Sequence, residues 1–281
     1  MAGSPKKHSS VSRPYAKRSL GQNFLVDETY ALRIVAALEL SGLETVLEIG
    51  PGRGALTGLL AGKAGRVVGI EIDRDLVPVL KEQFSDKPSV EIVEGDILES
   101  DPSGFVGADH AKVVANLPYY ISTAILRRLY DFRYLFSCIV VMLQKEVAER
   151  IVAPPGSSAR GYLTVFTEHG FRCEKLFDVP PGAFRPVPKV ESAVVRLYPL
   201  DDHSSKFDEE VFAELVSKGF GQKRKTLANN LKNVDAALKN RIESLGGSAK
   251  VLESAGITPN SRAEELSKEQ WEDLARRLAG A

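Results

Sequence analysis

The chain of 281 residues carries 37 Lys and Arg against 37 Asp and Glu, and 43% of it is hydrophobic, enough for a sizeable core under an ordinary charged surface. No stretch approaches the ~18 apolar residues of a membrane span, and the polar, Ser-rich N-terminus does not read as a signal peptide. Two cysteines, Cys138 and Cys173, supply neither a disulfide framework nor a Cys-rich metal site, and the four histidines show no ligand spacing, so no metal is expected. The zero net charge is unevenly spread. Residues 1–26 hold five basic residues and no acid, residues 27–200 hold 19 basic and 23 acidic, and residues 201–281 hold 13 and 14. Within the last part, Lys218 to Arg241 carries seven basic residues against Asp235 alone. On composition such blocks read as a solvated tail and a solvated helix face.

Residues 1–19 are a basic segment with little to bury and are expected to form a flexible tail. A transit peptide is the alternative, but patterned sequence resumes by Gly21, which leaves it short. Asp27 then caps a helix whose apolar face is Ala31, Ile34, Val35 and Leu38, with Ser41-Gly42 as its stop. Short apolar runs follow at Thr45–Ile49, Arg66–Ile72, Val90–Val93, Lys112–Ala115, Cys138–Leu143, Arg172–Val179 and Val190–Leu197. The first five are separated by helical patterns or a long connection, which predicts a mainly parallel sheet covered on both faces. The last two lie close together and predict an antiparallel hairpin at one edge. Asp201 to Ser205 reads as a linker. Beyond it only helices are predicted, the last opened by a Ser267/Gln270 capping box with Leu266 stapled onto Trp271. The expected organisation is a tail (1–19), an α/β domain (20–200) and a small all-α domain (201–281).

The chemistry lies at the ends of the predicted strands. Glu48 to Gly54 follows the first strand and opens a helix, with Gly50 and Gly52 letting the backbone turn tightly beside a ligand. Glu71, at the end of the second strand, can accept both hydroxyls of a ribose. These features suit a dinucleotide as well as S-adenosylmethionine, and a glycine loop alone reads equally as a turn. Gly95-Asp96 ends the third strand, where a carboxylate can take an adenine amino group; Gly-Asp is also ordinary turn chemistry.

The fourth strand ends in Asn116-Leu117-Pro118-Tyr119. Pro118 lacks an N–H, so the backbone there presents carbonyls rather than continuing a ladder. The Asn116 side-chain oxygen and the Leu117 or Pro118 carbonyl can accept both N–H bonds of an exocyclic amine, while Tyr119 offers a stacking face. Such acceptors draw the nitrogen lone pair out of the ring, ready for in-line attack on a sulfonium methyl.

With these residues the chain resembles the small-subunit (16S) ribosomal RNA adenine N6-dimethyltransferases, the kasugamycin-sensitivity family. The resemblance runs from Gly21 to about Leu278. Gly21 to Leu25 is similar to the family's N-terminal cofactor motif, Glu48 to Gly54 to its glycine loop, Glu71 to its ribose acid and Asp96 to its adenine-edge acid. Asn116 to Tyr119 is similar to the catalytic tetrapeptide, Phe184 to Val190 to the segment whose aromatic covers the target base, and Gln222 to Leu231 to the C-terminal signature.

The resemblance implies a Rossmann-like class I methyltransferase with a mainly parallel seven-stranded sheet and a small all-α C-terminal domain. The implied cofactor contacts are Asn23, Leu25, Gly50, Gly52, Glu71, Asp96 and Asn116, around S-adenosylmethionine and its product S-adenosylhomocysteine. Asn116, Leu117, Pro118, Tyr119 and Phe184 are the implied catalytic set, with Tyr119 and Phe184 sandwiching an extruded adenine. Arg127, Arg128, Lys223, Arg224 and Lys225 are the expected RNA contacts, the basic triplet placed on a helix. The implied partner is 16S rRNA in the immature small subunit, met by a cytoplasmic monomer. The family usually has an aromatic where this chain has Arg160, before Gly161, which puts the detail of that RNA-facing loop in doubt. Three rivals remain: the large-subunit methylase of macrolide resistance, disfavoured by Gln222–Leu231; an NAD-dependent dehydrogenase, which leaves Asn116–Tyr119 unexplained; and a non-catalytic RNA-binding factor, disfavoured by intact Asn116 and Glu71.

Overall fold

The computed structural model describes residues 16–17, 20–107, 110–200 and 209–279. Most of the predicted tail and the Asp201–Ser205 linker lie outside them. In chain order the strands are β1 (Phe24–Leu25), β2 (Thr45–Ile49), β3 (Arg66–Glu71), β4 (Val90–Glu94), β5 (Ala111–Asn116), β6 (Phe136–Gln144), β7 (Phe171–Val179), β8 (Phe184–Arg185) and β9 (Ser192–Pro199). Seven form one sheet, ordered β4-β3-β2-β5-β6-β9-β7. Every pairing from β4 to β6 is parallel, and β9 runs antiparallel to both β6 and β7. The predicted edge hairpin is therefore β7–β9, with β9 inserted inside the edge strand. β1 and β8 form a separate two-stranded ribbon that no periodic signal announced.

The strands read as unbroken apolar runs because both sheet faces are covered. Alternate residues divide between two cores. Val113, Ala115, Ile139, Val141 and Leu143 enter one, under α5 (Ser122–Asp131) and α7 (Tyr162–Gly170). Val114, Cys138, Val140 and Met142 enter the other, under α1 (Glu28–Ala36) and α2 (Ala55–Leu60). Asp27 caps α1 as predicted, accepting from the Thr29 and Tyr30 amides. Burial pushes the Cys138 thiol up to about 11 and the Cys173 thiol up to about 12, so neither supplies a thiolate at neutral pH.

Beyond the sheet come α8 (Glu209–Gly219), α9 (Leu227–Asn230), α10 (Ala236–Ser244), α11 (Ser248–Ser254) and α12 (Lys268–Ala279). They enclose their own apolar cluster around Trp271, which is fully buried. A Cβ on Gly219 would lie 2.4 Å from the Trp271 ring, so glycine is what lets α8 close on α12. The α12 capping box is present: the Ser267 amide donates to Gln270 Oε1 (3.0 Å) and the Gln270 amide to Ser267 Oγ (3.4 Å).

α7 joins the two bodies of side chains, giving Phe166 to the sheet core and Val165 to the helical one. Arg160, just before α7, is wholly buried and belongs to this joint rather than to an RNA-facing surface. Its Nε donates to the Leu266 carbonyl (3.1 Å) and its Nη1 to the Ala153 carbonyl (2.8 Å). Both Nη atoms also meet the Glu168 carboxylate, at 2.9 and 2.7 Å. Where the family usually has an aromatic, this chain has a bidentate ion pair facing inward.

Replacing Arg160 by Met leaves two carbonyls and a half-buried carboxylate without their donor. The expected loss is roughly 3 kcal/mol, read from the urea midpoint; a midpoint within error of wild type would show that the tie does not hold the joint. Glu48, on β2, is 2% exposed, and its Oε2 accepts from Thr57 Oγ1 at 2.6 Å. Burial raises its carboxyl from the ordinary 4.5 to about 7, against the pull of the Thr57 bond. A raised carboxyl favours the fold while protonated, so its contribution is full below pH 4.5, fades as pH rises to about 7, and is flat above. Wild-type stability relative to Glu48→Gln is expected to fall by about 3 kcal/mol across that window. A difference that does not change with pH would show Glu48 ionised throughout.

Candidate active site

Parallel strands place ligands beyond their carboxyl ends, at the point where strand order reverses. Here the order reverses between β2 and β5. A cleft of about 820 Å³, open to solvent, lies over that point. Asn23, Gly50, Gly52, Glu71, Asp96, Asn116, Leu117, Pro118 and Tyr119 all line it. These residues come from the N-terminal strap and four different strand ends, brought to one cavity by the sheet.

The glycine loop takes left-handed backbone at Gly50 (φ 67°) and Gly52 (φ 61°). A Cβ on Gly52 would press on the Phe24 ring at 3.1 Å, whereas one on Gly50 would project into open space. That space is the cleft. Glu71 is 4% exposed, and each of its oxygens accepts one backbone N–H: Oε2 from Gly52 and Oε1 from Asp73, both at 2.9 Å. Burial raises its carboxyl, and the Asp73, Gly52 and Ile72 amides pull it back. Its remaining acceptor capacity suits a pair of vicinal hydroxyls. Asp96 is half-buried and accepts from the Leu98 amide through Oδ1 (2.9 Å). The donor set therefore fits an adenosine-bearing cofactor.

At the end of β5, Asn116 Nδ2 donates to the Asn23 carbonyl at 2.9 Å. The amide's donor end is thereby held away, and its acceptor, Oδ1, has no protein donor among the described residues. The Leu117 amide donates to the Met142 carbonyl (2.9 Å), fixing this backbone to β6, with the Leu117 side chain buried beneath. The Pro118 carbonyl already accepts from the Ile121 amide (3.3 Å), whereas the Leu117 carbonyl accepts from no backbone amide among the described residues, which favours Leu117 as the backbone acceptor of the two. Tyr119 is held by its hydroxyl, 2.7 Å from Ser192 Oγ at the start of β9, and burial raises that phenol. Tyr120 stands exposed at the rim, against Gly21.

The strap over the cleft has an anchor that sequence reading missed. Asp73, 2% exposed, accepts from Lys17 Nζ (2.5 Å) and Gln22 Nε2 (2.8 Å). Burial alone would raise its carboxyl, but these two donors outweigh burial and hold it below the ordinary value. Ser192 was missed as well. Both pairs join residues more than fifty positions apart, which no local spacing reports.

Two expected site residues lie elsewhere. Leu25 and Phe184 face each other in the β1–β8 ribbon, and both side chains enter the sheet core, at 6% and 1% exposure. Pairing register fixes this: Phe24 and Arg185 take the opposite face. The Pro-rich connection is stiff, as expected, but it packs its aromatic inward and Phe184 does not line the cleft.

The expected RNA contacts also divide. Lys223, Arg224 and Lys225 are exposed on the turn between α8 and α9 rather than on a helix. Buried Asn230 shapes that turn, its Nδ2 donating to the carbonyls of Gly219 (2.6 Å) and Gln222 (3.2 Å). Arg127 pairs with Asp131 (3.1 Å), and Arg128 donates to the Ser100 carbonyl (2.7 Å) and lies over the Phe132 ring. Among the described residues there is no group of three or more His, Cys, Asp or Glu placed to hold a metal. No helix of the described residues is long and apolar enough to cross a membrane.

The family model described as ribosomal RNA adenine dimethylase matches residues 14–280. The chain is 44% identical over 267 residues to the ribosomal RNA small subunit methyltransferase A of Geobacter metallireducens, covering 94% of this chain and 95% of that protein. It is 37% identical over 285 residues to the protein of the same name from Alkaliphilus oremlandii, covering 98% and 97%. Among solved structures it resembles a dimethyladenosine transferase from Plasmodium falciparum, with a TM-score of 0.76 at 28% identity over 89% of this chain and 95% of that one. It also resembles the 23S rRNA methyltransferase ErmE, with a TM-score of 0.67 at 30% identity over 91% and 99%. Matched from one end to the other by that family model, the chain belongs to the ribosomal RNA adenine dimethylase family.

Proposed function

We propose that this chain transfers methyl groups from S-adenosylmethionine to N6 of two adjacent adenines in the 3′-terminal hairpin of 16S rRNA, dimethylating each. The observation that carries the reading is the Asn116 amide, turned by the Asn23 carbonyl so that Oδ1 is the free end. Asn116 Oδ1 and the Leu117 carbonyl accept the two N6–H bonds of an extruded adenine, and the Tyr119 ring stacks on its face. These acceptors localise the lone pair on N6 and aim it along one line. S-adenosylmethionine held there would supply an electrophilic sulfonium methyl, the N–CH3 bond forming at N6 as the S–CH3 bond breaks, with S-adenosylhomocysteine as the leaving group. The methylated ammonium is strongly acidic and loses its proton to water, so positioning replaces a general base. Glu71 would hold the ribose hydroxyls and Asp96 the adenine amino group, with the Gly52 amide fixing Glu71 and Gly50 leaving room for the rest.

The small subunit is favoured over the large by the shared name of the relatives near 40% identity and by the Gln222–Leu231 signature. In this reading residues 20–200 form the methyltransferase domain, and residues 201–281 form a helical domain that meets RNA phosphates through the Lys223–Lys225 turn. The enzyme acts in the cytoplasm, as a monomer, on the immature subunit.

Mass spectrometry of small-subunit rRNA from cells with and without this chain tests the substrate. Two adjacent dimethyladenines are expected only in its presence; their persistence without it, or their appearance in large-subunit rRNA instead, refutes the assignment. In a tritium-methyl transfer assay, Asn116→Ala is expected to lower turnover at least about a hundredfold while leaving most cofactor affinity. Unchanged turnover would remove Asn116 from the reaction.

A further inference from the structure

Behind the strap lies a second groove, lined by Gly21, Gln22, Asn23, Arg53 and Arg185 among others, with no carboxylate among the described residues that line it. It shares the Gly21–Asn23 wall with the catalytic cleft. Its two guanidiniums come from separate parts of the chain and are placed around one residue. Arg53 lies in the glycine loop, between Gly52 and Gly54, and its guanidinium lies over the Phe24 ring, 4.4 Å from the centroid. Arg185 is the direct partner of Phe24 in the β1–β8 ribbon, so its side chain leaves the same face. The Arg185 Nη1 donates to the Phe184 carbonyl (2.7 Å) and the Gly182 carbonyl (3.1 Å), which steadies the head of an otherwise exposed side chain.

We infer that this groove holds the phosphodiester backbone of the RNA beside the extruded adenine. The inference rests on the function proposed above. An adenine in the cleft stays joined to its own sugar and phosphates, which must cross the rim of the cleft. On this side the rim is the strap, whose Gly21, Gln22 and Asn23 line both the cleft and the groove. A planar guanidinium fixed on an aromatic ring or by carbonyls matches the oxygens of a phosphate and loses little freedom on binding it. A pair of them, with no acid in the lining, favours a polyanion over a neutral ligand. The groove shares the Gly21–Asn23 wall of the cleft, so it supplies local grip at the reacting nucleotide. The side chains touch phosphate rather than base, so the grip is independent of sequence.

The test uses the full chain with Arg53→Ala, Arg185→Ala and the double variant, and a short oligoadenylate as probe. Binding is followed against salt, beside S-adenosylmethionine affinity, thermal midpoint and methyl transfer to small subunits from cells lacking the chain. For the double variant, oligoadenylate affinity is expected to fall roughly tenfold or more at low salt. The slope of log affinity against log salt should shrink by about 1.4, the release expected for two single-strand phosphates. Cofactor affinity and thermal midpoint should stay at wild-type values, and Arg→Lys at both positions should restore most of the slope. Unchanged affinity and slope overturn the inference. A parallel loss of cofactor affinity also overturns it, since the groove would then serve the cofactor. Failure of the wild type to label any subunit, with oligoadenylate binding intact, refutes the proposed reaction instead and is read separately from the slope.

Discussion

An asparagine amide has a donor end and an acceptor end, and only the acceptor can help a target amine become a nucleophile. One hydrogen bond, from Asn116 Nδ2 to the Asn23 carbonyl, decides which end faces the cleft. That bond exists only while the strap lies across the end of β5. The strap in turn is held by Asp73, buried at the end of β3 and bonded to Lys17 and Gln22. Hydrogen bonds to a charged group are worth about 1.5–3 kcal/mol each, more than neutral ones, so a buried carboxylate is an effective anchor. The geometry of the reacting atoms thus depends on an ion pair two strands away.

The same dependence explains the charge arithmetic. A total of zero argues mildly against a nucleic-acid partner until the acids are located. Glu48, Glu71 and Asp73 are all buried around the cofactor side of the sheet, where they hold backbone, strap and a threonine hydroxyl. They do not face a long polyanion. The exposed charge on the Lys223–Lys225 turn is basic, and so are the two guanidiniums behind the strap. A formal sum over the chain mixes groups that meet solvent with groups that never do.

The central sheet was legible because a parallel sheet covered on both faces writes its strands as apolar runs, and all seven runs became strands. The strand-end residues were legible because their chemistry is local: a glycine loop, an acid and Asn-Leu-Pro-Tyr each carry their own spacing. Leu25 and Phe184 were misplaced because a two-residue ribbon has no period, and its register alone sends Arg185 outward and Phe184 inward. Ser192 and Asp73 were hidden because their partners Tyr119 and Lys17 lie far off in sequence. Arg160 looked like a surface departure because an isolated arginine usually is one; its burial depends on Glu168 and two carbonyls that only the packed joint brings together.

The most direct measurement of the whole arrangement is a crystal structure of the chain with S-adenosylhomocysteine bound. Expected are the ribose hydroxyls on the two Glu71 oxygens, the Asn116 Nδ2 to Asn23 carbonyl bond intact, and Oδ1 facing the sulfur across the space a methyl and an amine would fill. A product molecule lodged outside this cleft, or an Asn116 amide turned with Nδ2 into it, would contradict the mechanism.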